Sequence, residues 1–197
     1  MHFNTQQSIK RVLDILIAIL GTIILLPLIL LTAIILKLSS KGAIFFLQER
    51  VGYNERSFLI WKFRSMKITA EETGPQLSSD EDKRVTAWGK IMRRWRLDEL
   101  PQVWNVLKGD MSIVGPRPER KFFIDQIVKT HPEYLTLLKV KPGLTSMGMV
   151  KFGYAENVEE MIERMQYDLS YVENASLLLD IKIMLQSIKV VFAGKGK

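Results

Sequence analysis

An uncharged apolar run near the N-terminus constrains the fold of this chain most. It covers residues 15–36, which is 22 residues. A straight helix of that length spans about 33 Å, enough to cross a hydrocarbon layer of roughly 30 Å. Pro27 lies in the middle of the run, where a proline removes a backbone hydrogen bond and clashes with the preceding turn. The run therefore predicts a membrane anchor that kinks or breaks at Pro27.

The charges that flank the predicted anchor are compatible with two membrane topologies. Lys10 and Arg11 precede the run, and Lys37 and Lys41 follow it. A helix that crosses the membrane usually has more basic residues on its cytoplasmic side. Similar flanks suit a re-entrant hairpin that enters one leaflet and returns, with both ends in the cytoplasm. An ordinary transmembrane helix with a tolerated proline is the alternative. No small-residue cleavage site follows the run, which argues against a signal peptide.

Composition narrows the classes of partner and chemistry. The 197 residues suit one domain plus the anchor, and the net charge of +7 favours anionic partners. The chain has no cysteine, which excludes disulfides and thiol chemistry. Its histidines are His2 and His131, too few for a histidine-rich metal site. Any metal is therefore expected to have oxygen ligands, as magnesium does.

The rest of the chain, residues 41–197, is predicted to be a single catalytic domain of the α+β class, rich in helix, behind an anchor at residues 1–40. Two short strands and a polar, mobile loop at 70–84 are expected first. The predicted strands are 43–47 and 58–63, and the predicted helices are 88–95, 98–107, 119–130, 157–172 and 176–192. The last helix has apolar residues at helical spacing with lysines between them, which suits a membrane-interface helix or, equally, one that faces the core.

Asp98 and Glu99 form an adjacent carboxylate pair after the arginines Arg93, Arg94 and Arg96. Neighbouring side chains on a helix diverge by about 100°, so the two carboxylates are expected to have different roles. One could attack an electrophile while the other holds a metal. The arginines and a helix N-terminus favour an ionised Asp98 and attract a phosphate. A plain helix N-cap is the alternative role for Asp98.

Three further cations are candidates for binding an anion. Arg117 lies between two prolines, which fix the backbone that presents its planar guanidinium. Lys62 and Arg64 share one face of the second predicted strand. A surface turn and a solvated strand edge are the respective alternatives. The sequence has no Walker-type loop and no Gly-x-Gly-x-x-Gly after a strand, so those modes of nucleotide binding are not supported.

These motifs occur together in a recognisable order. Leu-Asp-Glu-Leu-Pro-Gln stands at 97–102 and Gly-Pro-Arg-Pro at 115–118, with further matching segments at 48–52, 62–66, 141–145 and 167–174. The set resembles the bacterial sugar transferase family, the monotopic phosphoglycosyl transferases that start the assembly of surface glycans. The resemblance covers nearly the whole chain, and its length is similar to that of the minimal catalytic form of the family.

The resemblance implies a reaction in which a sugar-1-phosphate moves from a UDP-sugar to polyprenyl phosphate, such as undecaprenyl phosphate, with release of UMP. It makes Asp98 the nucleophile, through a covalent phosphosugar-aspartyl intermediate, and Glu99 a ligand of Mg²⁺. The implied substrate-binding residues are Lys62, Arg64, Arg93, Arg117 and Asp168. It also implies a re-entrant anchor bent at Pro27 on the cytoplasmic face of a bacterial inner membrane, with downstream glycosyltransferases as candidate partners.

The chain departs from the family pattern in two places. The family's anchor bends at a Ser-Pro pair, whereas this chain has Leu26-Pro27. The kink is expected to remain, without a serine hydroxyl to bond the freed backbone groups. After Pro142-Gly143 many relatives continue with Gly-Trp-Ala-Gln and then Asn-Gly-Arg, which residues 144–154 lack. Contacts that relatives make there are not carried over, so the sugar is not predicted.

Two other classes of function compete with the transferase. A non-catalytic membrane adaptor would bind anionic lipid through its basic face without magnesium and without releasing UMP. Nucleic-acid binding through the arginines at 93–96 would give tight, salt-sensitive binding to random DNA. The anchor disfavours nucleic acid as a partner, and the intact carboxylate pair disfavours the adaptor.

Overall fold

The computed structural model describes the backbone of residues 2–72, 74–79 and 81–194, and the side chains from residue 6 onwards within those ranges. The chain is a helix-rich α+β domain with a long apolar N-terminal helix, as predicted. Positions 73 and 80 of the predicted loop lie outside the described residues. The α-helices are α1 (His2–Ser39), α2 (Ala87–Arg94), α3 (Val103–Lys108), α4 (Lys121–Ile127), α5 (Met147–Lys151), α6 (Val158–Glu173) and α7 (Leu177–Phe192). The strands are β1 (Phe45–Val51), β2 (Ser57–Phe63), β3 (Ser112–Val114) and β4 (Gly143–Thr145), and 3₁₀ helices cover Tyr53–Glu55, Ile68–Glu71, Leu97–Gln102 and Pro132–Lys139.

Helix α1 is one continuous α-helix and contains Pro27. Two helices separated by a loop are therefore not seen, and the re-entrant path stays a prediction. From Gln6 to Ser39 the helix is long and apolar enough to cross a membrane. Its middle is exposed, since Ile23 and Ile24 keep 65% and 66% of their surface accessible, whereas stretches on both sides of that middle pack against the domain.

The first half of α1 is fixed to the domain by polar contacts. Lys10 Nζ donates to Asp180 Oδ2 at 2.6 Å. Arg11 donates to the carbonyl oxygens of Val106 and Leu107 in the last turn of α3, at 2.6 and 2.9 Å. Asp14, 5% exposed, accepts a hydrogen bond from the backbone N–H of Ile113 at 2.9 Å. Helix α1 is thus continuous with the rest of the domain in both packing and hydrogen bonding.

The two pairs of strands position the loops that follow them. β1 and β2 form an antiparallel hairpin, in which Phe46 is opposite Lys62. β3 and β4 run parallel, with Val114 opposite Thr145. Because parallel strands end at the same edge of a sheet, the loop after β3 and the loop after β4 lie side by side. A Cβ built on Gly115 would stand 2.3 Å from the carbonyl oxygen of Lys141, so this close approach requires glycine.

The segment predicted as one helix over 98–107 is two elements. Residues Leu97–Gln102 form a 3₁₀ helix, and α3 begins only at Val103. The preceding Arg96 adopts a left-handed conformation with φ of 53°, which turns the chain sharply before the carboxylate pair. Asp98 is therefore not an N-cap. The predicted stop at Gly109 is confirmed, since that residue ends α3 with φ of 94°.

Three hydrophobic clusters form the core. One lies under α4, α6 and the 3₁₀ helix Pro132–Lys139, and it includes Ile127, Met161 and Met165. The second joins α1, α3, β3 and α7 around Ala18 and Val106. The third joins the end of α1 to β2 and α2 through Leu36, Phe63 and Met92. α6 and α7 begin at the side-chain caps Asn157 and Ser176, within one residue of their predicted starts.

Candidate active site

Asp98 and Glu99 occupy the first turn of the 3₁₀ helix Leu97–Gln102. A 3₁₀ helix has about three residues per turn, so the two side chains diverge by about 120°. Both are buried, with 7% and 6% of their surface exposed. Few carboxylates are buried without partners, and the partners here are basic residues from other elements.

Glu99 is held by two cations that come from distant parts of the sequence. Lys62 Nζ donates to Glu99 Oε1 at 3.1 Å, and Arg117 Nη2 donates to the same oxygen at 3.2 Å. Lys62 is on β2, and Arg117 is in the loop after β3. Four of the residues that the sequence selected therefore come together here: the carboxylate pair, Lys62 and Arg117.

The environment moves the pKa values of the two carboxyl groups in opposite directions. Burial raises the pKa of Asp98, and the Glu99 carboxylate raises it further, against the opposing effects of Lys62 and Arg93. Burial alone would also raise the pKa of Glu99, but Lys62, Arg117 and Arg96 outweigh it and hold that pKa well below its usual range. The sequence led us to expect that the arginines would keep Asp98 ionised by lowering its pKa. For the protein without substrate this expectation is wrong, because burial and Glu99 raise that pKa by more than the nearby cations lower it.

A further buried carboxylate, Glu119, extends this network and was not predicted from the sequence. It is 5% exposed. Its Oε1 accepts from Arg164 Nη2 at 2.6 Å, and its Oε2 accepts from Arg50 Nη1 at 2.9 Å. Arg117 Nε is 3.8 Å from Oε1, so Arg117 stands between Glu99 and Glu119. The two carboxylates thus fix one guanidinium from both sides.

Asp168 organises the backbone around Arg117 rather than contacting the carboxylate pair. Its Oδ2 accepts from the backbone N–H of Arg117 at 3.3 Å, and its Oδ1 accepts from the N–H of Gly148 at 2.7 Å. It therefore joins the loop after β3 to α5. A Cβ on Gly148 would lie 2.7 Å from the Cγ of Arg164 and 3.1 Å from Asp168 Oδ1, so a side chain there would disturb both.

Tyr154 belongs to the segment in which this chain departs from the family pattern. Its ring lies against two guanidinium groups, 5.2 Å from that of Arg96 and 5.3 Å from that of Arg117. Contacts of this kind are attractive because the ring face is electron-rich. Burial, together with Glu99, raises the pKa of Tyr154 to about 12, so the phenol is neutral at physiological pH.

The remaining predicted residues lie further from Glu99. Arg64 Nη1 donates to the Lys41 carbonyl at 2.6 Å and its Nη2 to Ser40 Oγ at 2.8 Å, so it binds the residues that follow α1. Its expected partnership with Lys62 is not observed, because its guanidinium is held by Ser40 and Lys41. Arg93 Nη1 donates to Ser78 Oγ at 2.7 Å, while its charge lowers the pKa of Asp98.

The donor set fits a magnesium ion that arrives with a phosphate substrate. Among residues 2–72, 74–79 and 81–194 no group of three or more acidic, histidine or cysteine side chains could hold a metal. Mg²⁺ is commonly bound by one or two carboxylates together with substrate phosphates and water. Glu99 supplies such a carboxylate, and the basic residues around it suit a polyphosphate.

Comparison with known proteins identifies the family of the chain. Residues 5–194 match the family described as bacterial sugar transferase, and the chain belongs to that family.

Its relatives include a UDP-N-acetylgalactosamine-undecaprenyl-phosphate N-acetylgalactosaminephosphotransferase of Aeromonas hydrophila, 44% identical over 95% of this chain and 44% of the relative. A UDP-glucose:undecaprenyl-phosphate glucose-1-phosphate transferase of Caulobacter vibrioides is 42% identical over 91% of this chain and 68% of the relative. The enzyme of the same name in Escherichia coli K12 is 38% identical over 98% of this chain and 42% of the relative. The chain spans less than half the length of the first and third of these.

Proposed function

We propose that the protein is a phosphoglycosyl transferase that moves a sugar-1-phosphate from a UDP-sugar to undecaprenyl phosphate or a similar polyprenyl phosphate, releasing UMP. The observation that carries this proposal is the buried Asp98-Glu99 pair, with Glu99 bonded to Lys62 and Arg117. The relatives named above act on UDP-sugars and undecaprenyl phosphate, which supports the assignment. The reaction would be the first membrane step in the assembly of a surface polysaccharide or glycoconjugate.

In the proposed mechanism an Asp98 carboxylate oxygen attacks the β-phosphorus, which carries the sugar. The bond from that phosphorus to the bridging oxygen breaks, and UMP leaves with the bond electrons. A phosphosugar-aspartyl intermediate results, and an oxygen of polyprenyl phosphate then attacks its phosphorus and releases the Asp98 carboxylate. The two large substrates need not occupy the site together, so ping-pong kinetics are expected.

The charged residues fit this sequence of steps. A carboxylate that approaches a diphosphate meets like charge, and Arg117 and Lys62 stand where they can offset the repulsion and stabilise the leaving phosphate. Magnesium held by Glu99 would supply further charge neutralisation at the diphosphate. The positive charge of a magnesium ion at Glu99 would also favour the ionised form of Asp98, which the protein alone disfavours.

We further propose that α1 is a re-entrant anchor and that α7 lies in the membrane interface. Ala18 and Leu36 of α1 are both buried against the same domain, while the side chains of Ile23 and Ile24 between them are exposed. On α7 the side chains of Leu178, Leu185 and Phe192 are 64%, 56% and 78% exposed. These faces would place the site at the head-group level on the cytoplasmic side of a bacterial inner membrane.

The reaction is tested with detergent-purified protein, polyprenyl phosphate, magnesium and a panel of UDP-sugars. UMP release by the wild type and its loss in Asp98→Asn would support the mechanism and identify the sugar. Intact-mass measurement without acceptor should show one added phosphosugar on the wild type. Full turnover by folded Asp98→Asn would rule out Asp98 as nucleophile. Magnesium-independent lipid binding without UMP release from any sugar would favour the adaptor.

The topology is tested separately, since the chain contains no cysteine. Single cysteines introduced by Gln7→Cys and Lys41→Cys precede and follow the apolar run. A re-entrant anchor predicts that a membrane-impermeant thiol reagent labels both from the cytoplasmic side in inverted vesicles. Labelling of the two from opposite sides would show a transmembrane helix instead.

A further inference from the structure

A cavity of about 530 Å³ lies between the start of α1, β3 and the junction of α6 with α7. Cavities of this size commonly hold small molecules. None of the residues that contact Glu99 or Glu119 lines it, so the cavity is separate from the candidate active site.

The walls of the cavity carry an excess of positive charge. Lys10, Arg11, Lys139 and Lys141 line it, against the two carboxylates of Asp14 and Asp180. Both carboxylates already have partners: Asp14 accepts from the N–H of Ile113, and Asp180 accepts from Lys10 and from Tyr171.

Lys139 and Lys141 are the cations available to a ligand. Neither forms a salt bridge within the part of the chain that the structure describes. Burial and the nearby Arg11 lower the pKa of Lys141, a condition that a bound anion would relieve. The α7 N-terminus, with Ser176 and Leu177, also lines the cavity and adds the positive end of a helix dipole.

A buried polar group in the wall also lacks a partner. Ser112 is 1% exposed and lines the cavity. Its Oγ has no hydrogen-bond partner among the described residues. Buried hydroxyl groups are usually paired, with protein or with another polar molecule, so this hydroxyl is consistent with a ligand that carries oxygen atoms.

The ligand is expected to be apolar as well as anionic. Val114, Val140 and Val172 contribute apolar wall. Val12 on α1 and Leu178 on α7 each follow a residue that lines the cavity, and they are 56% and 64% exposed. Exposed apolar side chains of both helices therefore stand next to the cavity. A phosphate in the cavity would therefore have hydrocarbon-facing surface next to it.

We infer that this cavity binds the head group of an anionic glycerophospholipid, with its phosphate near Lys139 and Lys141 and its acyl chains along the exposed faces of α1 and α7. Such a lipid would fill the space between the anchor and the domain. The inference does not depend on the transfer reaction, since it concerns binding away from the carboxylate pair.

The test measures binding of an acyl-labelled phosphatidylglycerol, and of phosphatidylcholine with the same label, to the full chain in detergent. The wild type should prefer phosphatidylglycerol by tenfold or more. Lys139→Gln/Lys141→Gln should weaken phosphatidylglycerol binding by about 25-fold, since each lysine beside an anionic lipid contributes roughly a fivefold change in affinity. The exposed side chain of Lys139 allows Lys139→Gln alone as a second variant, with an expected loss of about fivefold.

The matched control is Lys83→Gln/Lys129→Gln, which removes the same charge from two exposed positions that lie outside the cavity and on neither α1 nor α7. It should stay within about threefold of the wild type. Equal losses in the two double variants would attribute binding to diffuse charge and overturn the inference. Displacement of the label by millimolar inorganic phosphate would make this a free-phosphate site, and stronger competition from polyprenyl phosphate than from phosphatidylglycerol would make it an acceptor site. Either result, or no preference over phosphatidylcholine, also overturns it.

Discussion

Replacing Glu119 by glutamine tests whether the buried charge network holds the domain together. The substitution keeps the size of the side chain and removes its charge. Arg50 and Arg164 would then be left in the interior without the carboxylate that they contact at 2.9 and 2.6 Å. Breaking a buried ion pair by removing one partner costs about 3–5 kcal/mol. The expected loss in the free energy of unfolding is therefore about 3–5 kcal/mol, which is a large share of the stability of a typical domain.

The loss is measured as a shift in the melting temperature of the detergent-purified protein. For a chain of this size each kcal/mol corresponds to about 2–4 °C, so a decrease of about 10 °C is expected. Glu163→Gln is the matched control, because Glu163 is an exposed neighbour of Arg164 on α6, and it should change the melting temperature by less than about 2 °C. Equal melting temperatures for the two variants would refute the reasoning.

The pH dependence of the same pair of proteins gives an independent check. Burial raises the pKa of Glu119, but Arg164, Arg50 and Arg117 outweigh it, so the folded-state pKa lies below its ordinary value of 4.5. A lowered folded-state pKa means that the stabilisation is fully present above the unfolded-state pKa and is lost as pH falls through the folded-state value. The difference in stability between wild type and Glu119→Gln should be constant from pH 7 to about 5.5 and shrink below about 4.5. A difference that stayed unchanged down to pH 3 would contradict this.

Two further predictions concern aromatic and anchor contacts. Tyr154→Phe keeps the ring between the two guanidinium groups and should leave turnover within about twofold of the wild type. Tyr154→Ala should lower turnover roughly 5- to 30-fold, because each of the two cation–π contacts contributes about 0.5–1 kcal/mol. Equal effects of the two substitutions would exclude the ring contact as the cause. A double-mutant cycle of Lys10→Met and Asp180→Asn should give a coupling of about 1–3 kcal/mol in unfolding, since this partly buried pair at 2.6 Å joins α1 to α7. The same cycle at Lys121 and Asp125, whose side chains are 73% and 56% exposed, should give about 0.5 kcal/mol or less, and equal couplings would show that the anchor pair adds nothing.

The elements that the sequence predicted well are those with local determinants. α6 and α7 start at serine or asparagine caps and carry apolar residues at helical spacing, so their starts were predicted to within one residue. Gly109 ends α3 because glycine readily adopts the left-handed backbone conformation that closes the helix. β3 and β4 were missed because each has only three residues, and their pairing joins segments about 30 positions apart.

Part of the candidate active site was also predicted from local sequence, and part of it depends on contacts between distant segments. Asp98, Glu99 and Arg117 stand in distinctive local motifs, whereas Glu119 acquires its role only through three arginines from β1, α6 and its own loop. One local indication of the network existed. Arg164 and Asp168 are four residues apart and so share one face of α6, together with the buried Met161 and Met165. Charged residues on an otherwise apolar face predict buried partners, and these two meet Glu119 and the Arg117 loop.

The contacts of α1 bear on any attempt to make the domain water-soluble. Arg11 satisfies the last carbonyls of α3, Asp14 satisfies an N–H of β3, and Ala18 and Leu36 fill core positions. Removing the first 40 residues would uncover Val106 and Phe63 as well as those polar groups. A soluble version should therefore keep both packed stretches of α1 and replace only the exposed apolar side chains between them with polar ones. Such a variant would separate membrane attachment from folding, although one helix carries both.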